Sequence, residues 1–174
     1  MDAESALVVS DTHGNTSLME RVTRWASAVH GVRRLFHLGD SYRDGRAMLG
    51  AGGLEGFVVP GIYCEEYTRS DVPNVITVEL AGKKVRLVHA LEDAEKSGEG
   101  RIDIVLFGHT HVPGVEKRGE TWYVNPGHLK PGFSKGRAPS YGLLRRAEGK
   151  LVFEWYHPGT DAPVPCRLET LFIL

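Results

Sequence analysis

Four short runs in the chain hold residue types that bind metal: Ser10-Asp11-Thr12-His13-Gly14, Gly39-Asp40, His89, and Gly108-His109-Thr110-His111. Imidazole and carboxylate suit borderline divalent cations such as Zn, Fe or Mn. Two such ions about 3.5–4 Å apart can clamp the attacking and leaving oxygens of a displacement at phosphorus. Water bound to such an ion reaches a pKa of about 7 in favourable sites, so a metal-bound hydroxide can serve as nucleophile and no side-chain nucleophile is needed. A lone carboxylate at a strand end, as Asp40 is, suits a bridging position between two ions. In extended backbone, residues i and i+2 point to the same side. That spacing predicts that Asp11 with His13, and His109 with His111, each aim two ligands at one point. Asp11 also fits the cap of a following helix.

The elements that must position these residues read as short apolar strands bounded by Gly, Asp or Pro. They fall at residues 6–9, 35–38, 57–59, 74–80, 83–89, 102–107, 121–124, 141–144 and 151–156. Ala81-Gly82 reads as a tight hairpin turn between the fourth and fifth. Leu18, Val22, Trp25, Ala26 and Val29 recur at helical spacing between the first two strands, with Asn15, Thr16 and Ser17 as capping candidates. A shorter helix is expected over 44–49, ended by Gly50, Gly52 and Gly53. Each metal-binding run follows one of the strands, where α/β folds build their sites.

Composition narrows the classes. The chain has 174 residues, 41% hydrophobic and 25% charged, which predicts one domain over 1–174 with a real core rather than disorder. Lys+Arg 21 against Asp+Glu 22 gives a net charge of -1, which argues against attachment to nucleic acid or membrane by global charge. Cys64 and Cys166 fit neither a disulfide framework nor a structural zinc site. The apolar stretch at 6–9 is too short for a signal peptide or membrane span, so a cytoplasmic protein is expected. Residues 128–140 form the longest segment without a predicted element. They carry Lys130, Lys135 and Arg137; His128 at the start of the segment reads first as a histidine without a substrate role, with contact to a substrate as the lesser alternative.

Together, Asp11-Thr12-His13, Gly39-Asp40, His89 and Gly108-His109-Thr110-His111 resemble the calcineurin-like metallophosphoesterase superfamily, in particular its small bacterial and archaeal phosphodiesterase branch. Asn125-Pro126-Gly127 and Pro139-Ser140-Tyr141-Gly142-Leu143-Leu144 resemble that branch's Asn-Pro-Gly loop and closing strand. The resemblance implies a four-layer α/β fold, two mixed β-sheets packed as a sandwich flanked by helices. It implies a dinuclear site in which Asp11, His13 and His111 hold one metal, His89 and His109 the other, and Asp40 bridges. Two divalent ions, Mn first and otherwise Zn, Fe or Ni, and a phosphoester substrate follow from it. Nucleic acid enters only as a substrate, a membrane does not enter, and a homo-oligomer stays open.

The sequence departs from the branch in two places. The branch has Gly-Asn followed by Cys and an acidic residue, the Asn binding the second metal. Here the run is Gly61-Ile62-Tyr63-Cys64-Glu65-Glu66, which puts Ile62 or Tyr63 at the ligand position. His89-Ala90-Leu91 stands where the branch reads His-Gly-His. Two expectations follow: a second metal held more weakly, or Cys64, Glu65 or Glu66 recruited in place of the Asn. Two functions follow as well. One is a metal-dependent phosphodiesterase or phosphatase. The other is a phosphoesterase-like scaffold that binds a protein partner, as the superfamily's retromer subunit does.

Overall fold

The computed structural model describes residues 4–98 and 100–159, and the backbone of 166–173. Its first strand, β1 (Ser5–Val9), is buried along its whole length. Alternation splits its side chains between two cores: Ala6 and Val8 face one apolar cluster, Leu7 and Val9 the other. A strand buried on both faces reads as a continuous apolar run, which is why the sequence marks it so clearly. β1 pairs in parallel with β2 (Arg34–His37), and β2 with β3 (Glu55–Val58). On its other edge β1 pairs antiparallel with β9 (Tyr141–Ala147), then β10 (Lys150–His157) and β11 (Cys166–Ile173). The result is a six-stranded mixed sheet in the order β11-β10-β9-β1-β2-β3.

The second sheet is also mixed, in the order β4-β5-β6-β8-β7. It comprises β4 (Val75–Leu80), β5 (Lys83–Val88), β6 (Ile104–Leu106), β7 (Gly114–Arg118) and β8 (Thr121–Asn125). Ala81 and Gly82 both have positive φ, 50° and 74°, as a two-residue hairpin turn requires. Between the sheets lies a core that joins Val8, Phe36 and Leu38 of one to Leu80, Leu87, Ile104 and Leu106 of the other. Helices α1 (Thr16–His30) and α2 (Tyr42–Gly52) cover the outer face of the first sheet through Met19, Val22, Ala26 and Met48. Helix α3 (Leu91–Lys96) covers the second through Ala94. This is the expected four-layer arrangement. No helix among the described residues is long and apolar enough to cross a membrane.

Several local expectations change. Asn15 precedes α1 without a side-chain capping bond and instead donates from Nδ2 to the Leu129 carbonyl at 2.8 Å. The buried face of α1 is Met19, Val22, Thr23 and Ala26, while Trp25 is only partly buried and Val29 is left 59% exposed. β7 and α3 escaped the pattern because β7 has one branched apolar residue in five and α3 spans six residues. Trp155 and Glu154 of β10 are both buried. The Glu154 carboxylate is accommodated because Arg145 donates to it from Nε at 2.8 Å and Nη2 at 3.0 Å. Near the end of the chain, β11 pairs through its backbone with β10.

Candidate metal centre

The ligand segments are turns rather than extended backbone. Asp11, His13, Asp40, His109 and His111 have φ of 53°, 46°, 47°, 64° and 61°, all in the left-handed region. The chain reverses sharply after β1, β2 and β6, and these reversals bring ligands together where straight strands would have carried them apart. Asp, Asn and His are the non-glycine residues that tolerate this region best, with glycine. The i, i+2 convergence was therefore expected from the wrong backbone geometry.

Asp11, His13, Asp40 and His111 each offer a ligand atom within 4.8 Å of the others. Asp11 Oδ1 lies 3.0 Å from His111 Nε2. His13 Nε2 lies 3.4 Å from His111 Nε2 and 3.5 Å from Asp40 Oδ2. The second oxygen of Asp40, Oδ1, lies 3.5 Å from His89 Nε2. One carboxylate thus faces His13 with one oxygen and His89 with the other. His109 packs its ring edge-on to His89 at 5.1 Å between centroids and stands outside the group of four. Cys64, Glu65 and Glu66 do not join that group either. Arg43 lies 3.3 Å from Glu65 and 3.6 Å from Glu66. Tyr63 is 85% exposed, and Ile62 has no donor atom.

The polar accounting fits a cation. His89 Nδ1–H donates to the Leu38 carbonyl at 2.7 Å, which leaves the Nε2 lone pair aimed at Asp40. That Nε2 and Asp11 Oδ1 are buried atoms with no hydrogen-bond partner. Buried lone pairs facing one another are costly unless something positive lies between them. Burial pushes the Asp11 carboxyl up, but the adjacent His111 ring, nearby His89 and the Ser10 hydroxyl outweigh it and hold its pKa below the ordinary value. Asp11 therefore stays anionic although it has no exposed surface.

Neighbouring residues fix these side chains. Asp11 Oδ2 accepts from Ser10 Oγ at 2.5 Å and from the His109 backbone N–H at 3.1 Å, tying the first ligand loop to the last. His111 Nδ1 pairs with Ser134 Oγ at 2.7 Å, leaving Nε2 for the cluster. Asn125 Nδ2 donates to the Gly108 carbonyl at 2.8 Å and to Thr110 Oγ1 at 3.0 Å, bracing the turn that carries both histidines. Three glycines leave room. A Cβ at Gly61 would lie 1.9 Å from Asp40 Oδ1, one at Gly39 would lie 2.4 Å from His89 Nδ1, and one at Gly108 would lie 2.0 Å from Ser10 Oγ.

His37, expected to be structural, is fully buried behind the first loop. It accepts at Nδ1 from the Gly39 N–H (3.3 Å). The ring proton is therefore on Nε2, which donates to Thr12 Oγ1 at 3.3 Å. Thr12 in turn donates to Asp44 Oδ2 at 2.7 Å, and Asp44 also accepts from the Gly14 N–H at 3.0 Å. Sequence reasoning missed Asp44 and Ser134, whose partners lie 30 and 23 residues away. His128 lies at the start of the 128–140 loop. It is buried against His111, with Nε2 donating to the Arg137 carbonyl at 3.2 Å.

The chain resembles known proteins in sequence and in fold. The chain is 46% identical to Phosphodiesterase YfcE of Escherichia coli (strain K12) over 43 residues, 24% of this chain. That match spans 22% of the relative's length. The crystal structure of YfcE, described as a phosphoesterase, superposes with a TM-score of 0.72 at 21% identity, covering 98% of this chain and 100% of that one. Vps29 from Entamoeba histolytica complexed with zinc gives 0.70 at 19% identity, covering 98% and 99%. A predicted phosphoesterase from Streptococcus pneumoniae TIGR4 gives 0.67 at 21%, covering 97% and 98%. At these identities the likeness is one of fold. Residues 5–149 match the sequence model of the calcineurin-like phosphoesterase superfamily domain, and the chain belongs to that family.

Proposed function

We propose that the chain is a metal-dependent phosphoesterase that hydrolyses a phosphodiester, or a phosphomonoester, at a site for two divalent ions. The observation that carries this reading is the Asp40 carboxylate, with Oδ2 3.5 Å from His13 Nε2 and Oδ1 3.5 Å from His89 Nε2. On this reading Asp11, His13 and His111 would hold one ion, His89 and His109 the other, and Asp40 would bridge. When bound, the ions supply the positive charge that draws in the phosphate and the Lewis acidity that lets water act as nucleophile near neutral pH.

The remaining work belongs to the chain. Ser134 and the Leu38 carbonyl hold His111 and His89 in the tautomers that present Nε2. The Ser10 hydroxyl and the His109 amide hold Asp11, so the charge arrangement is set before substrate arrives. No Ser, Cys or Thr has to attack phosphorus. Mn is the first ion to test, then Zn, Fe and Ni, since mixed His/Asp ligation selects weakly. The zinc complex of the similarly folded Vps29 supports divalent metal use.

The test strips the protein, reconstitutes it with each metal, counts ions per chain and follows hydrolysis of bis(p-nitrophenyl) phosphate. Two ions and turnover are expected, with turnover abolished and the metal count reduced in Asp40→Ala. A second reading, a scaffold for a protein partner, is favoured by one feature: Ile62 and the 85% exposed Tyr63 leave the second ion without its expected amide ligand. One ion or none, and no turnover with any metal, would select the scaffold.

A further inference from the structure

Tyr63 and Phe133 are 85% and 77% exposed, the two most exposed of the large apolar side chains described. Both stand on loops that touch the metal ligands. Tyr63 sits in the turn that Cys64 N–H closes by donating to the Gly61 carbonyl at 2.9 Å, and Gly61 is the residue packed against the Asp40 carboxylate. Phe133 immediately precedes Ser134, whose hydroxyl pairs with His111. That segment is pinned by reciprocal backbone bonds between Ser134 and Arg137, 3.0 and 2.9 Å. Tyr63 is thus two residues from the glycine packed on Asp40, and Phe133 is one residue from the serine that pairs with His111. Residues 128–140 add Lys130, Lys135 and Arg137 and contain no acidic residue. Exposed rings together with cations are the combination that stacks bases and neutralises phosphates.

We propose that Tyr63 and Phe133 form an aromatic subsite that stacks a nucleobase, so that the ester taken at this centre is a nucleoside phosphodiester. The basic loop favours a nucleotide over a simple aryl ester, because it supplies charge for phosphate next to the ring that holds the base. The inference rests on the phosphoesterase reading and names its substrate class.

Two substrates isolate the base: thymidine 5′-(methyl phosphate), and the 1,2-dideoxyribose 5-(methyl phosphate) that lacks it. Hydrolysis of either adds water across the P–OCH3 linkage, the oxygen going to phosphorus and methanol leaving, so methanol release reports both. The Mn-loaded protein is expected to favour the thymidine ester about tenfold in kcat/KM, chiefly through KM. Tyr63→Ala or Phe133→Ala should erase most of that preference and leave the base-free ester unchanged, while Phe133→Trp should retain it. Equal rates for the two esters, a preference that survives both alanine variants, or an equal loss on both esters would overturn the subsite.

If neither ester is hydrolysed with any metal, the phosphoesterase reading fails but the subsite is still read by calorimetry. Thymidine 5′-monophosphate binding about tenfold tighter than 1,2-dideoxyribose 5-phosphate, with the difference lost in the alanine variants, supports it; equal affinities overturn it. A wild-type dimer that Phe133→Ala converts to monomer, with no preference for the base, would assign the rings to contact between copies and overturn it as well.

Discussion

Asp40 owes its orientation to a side chain that Gly61 does not have. Adding one carbon there puts it 1.9 Å from Oδ1, so Gly61→Ala must turn or displace the Asp40 carboxylate. Displacement of a catalytic group by about 1 Å costs on the order of a hundredfold in rate. Steady-state hydrolysis by Gly61→Ala should fall by about that factor, with thermal unfolding as the control that the fold persists. His37 acts at the same scale but on stability. Burial lowers its pKa to about 4, against the opposing pull of Asp11 and Asp44 and with a smaller push in the same direction from His89. The folded state therefore keeps the ring neutral while the unfolded chain protonates it near pH 6.5. Stability from this group is complete above pH 6.5 and is lost as pH falls toward 4, about 3 kcal/mol in all. Urea unfolding of the metal-free protein should show this slope, and His37→Gln should flatten it.

Among the elements, strands carry the core and turns carry the chemistry, and the two were unequally legible in the sequence. β1 announces itself because both its faces are buried and its apolar run is nearly continuous, and β2, β5 and β10 because buried Leu, Val and Phe cluster in them. The candidate metal ligands stood out because Asp-x-His and His-x-His pairs follow such strands. What holds the ligands was not legible. Asp44 reaches Thr12 and Gly14, and Ser134 reaches His111, across separations at which local pattern says nothing. Left-handed backbone at five ligands was equally hidden, because aspartate and histidine carry no mark of φ in the way glycine does. The loop over 128–140 shows what such contacts are for. Its Ser134 orients one imidazole, so Ser134→Ala should lower metal affinity about 10- to 100-fold. Competition with a chelator would measure this, and unchanged affinity would reduce the loop's role to covering the site.

For the whole molecule, the two mixed sheets close on a common core and leave their connecting turns at one ligand cluster, so the site is assembled from segments distant in sequence. Asp11 and His109 are joined by a backbone-to-carboxylate bond across 98 positions. The fold therefore has to be complete before the site exists. The left-handed ligands have a further consequence. Each non-glycine residue held there costs the chain about 1–2 kcal/mol, less for aspartate and histidine with local hydrogen bonds. His109→Gly should accordingly raise the melting temperature of the metal-free protein while weakening its hold on metal, which calorimetry of both states would read. A lineage excused from chemistry would be expected to drift towards glycine at 11, 13, 40, 109 and 111, because each step relaxes the fold. This chain keeps aspartate or histidine at all five, and so carries that backbone cost at each of these turns.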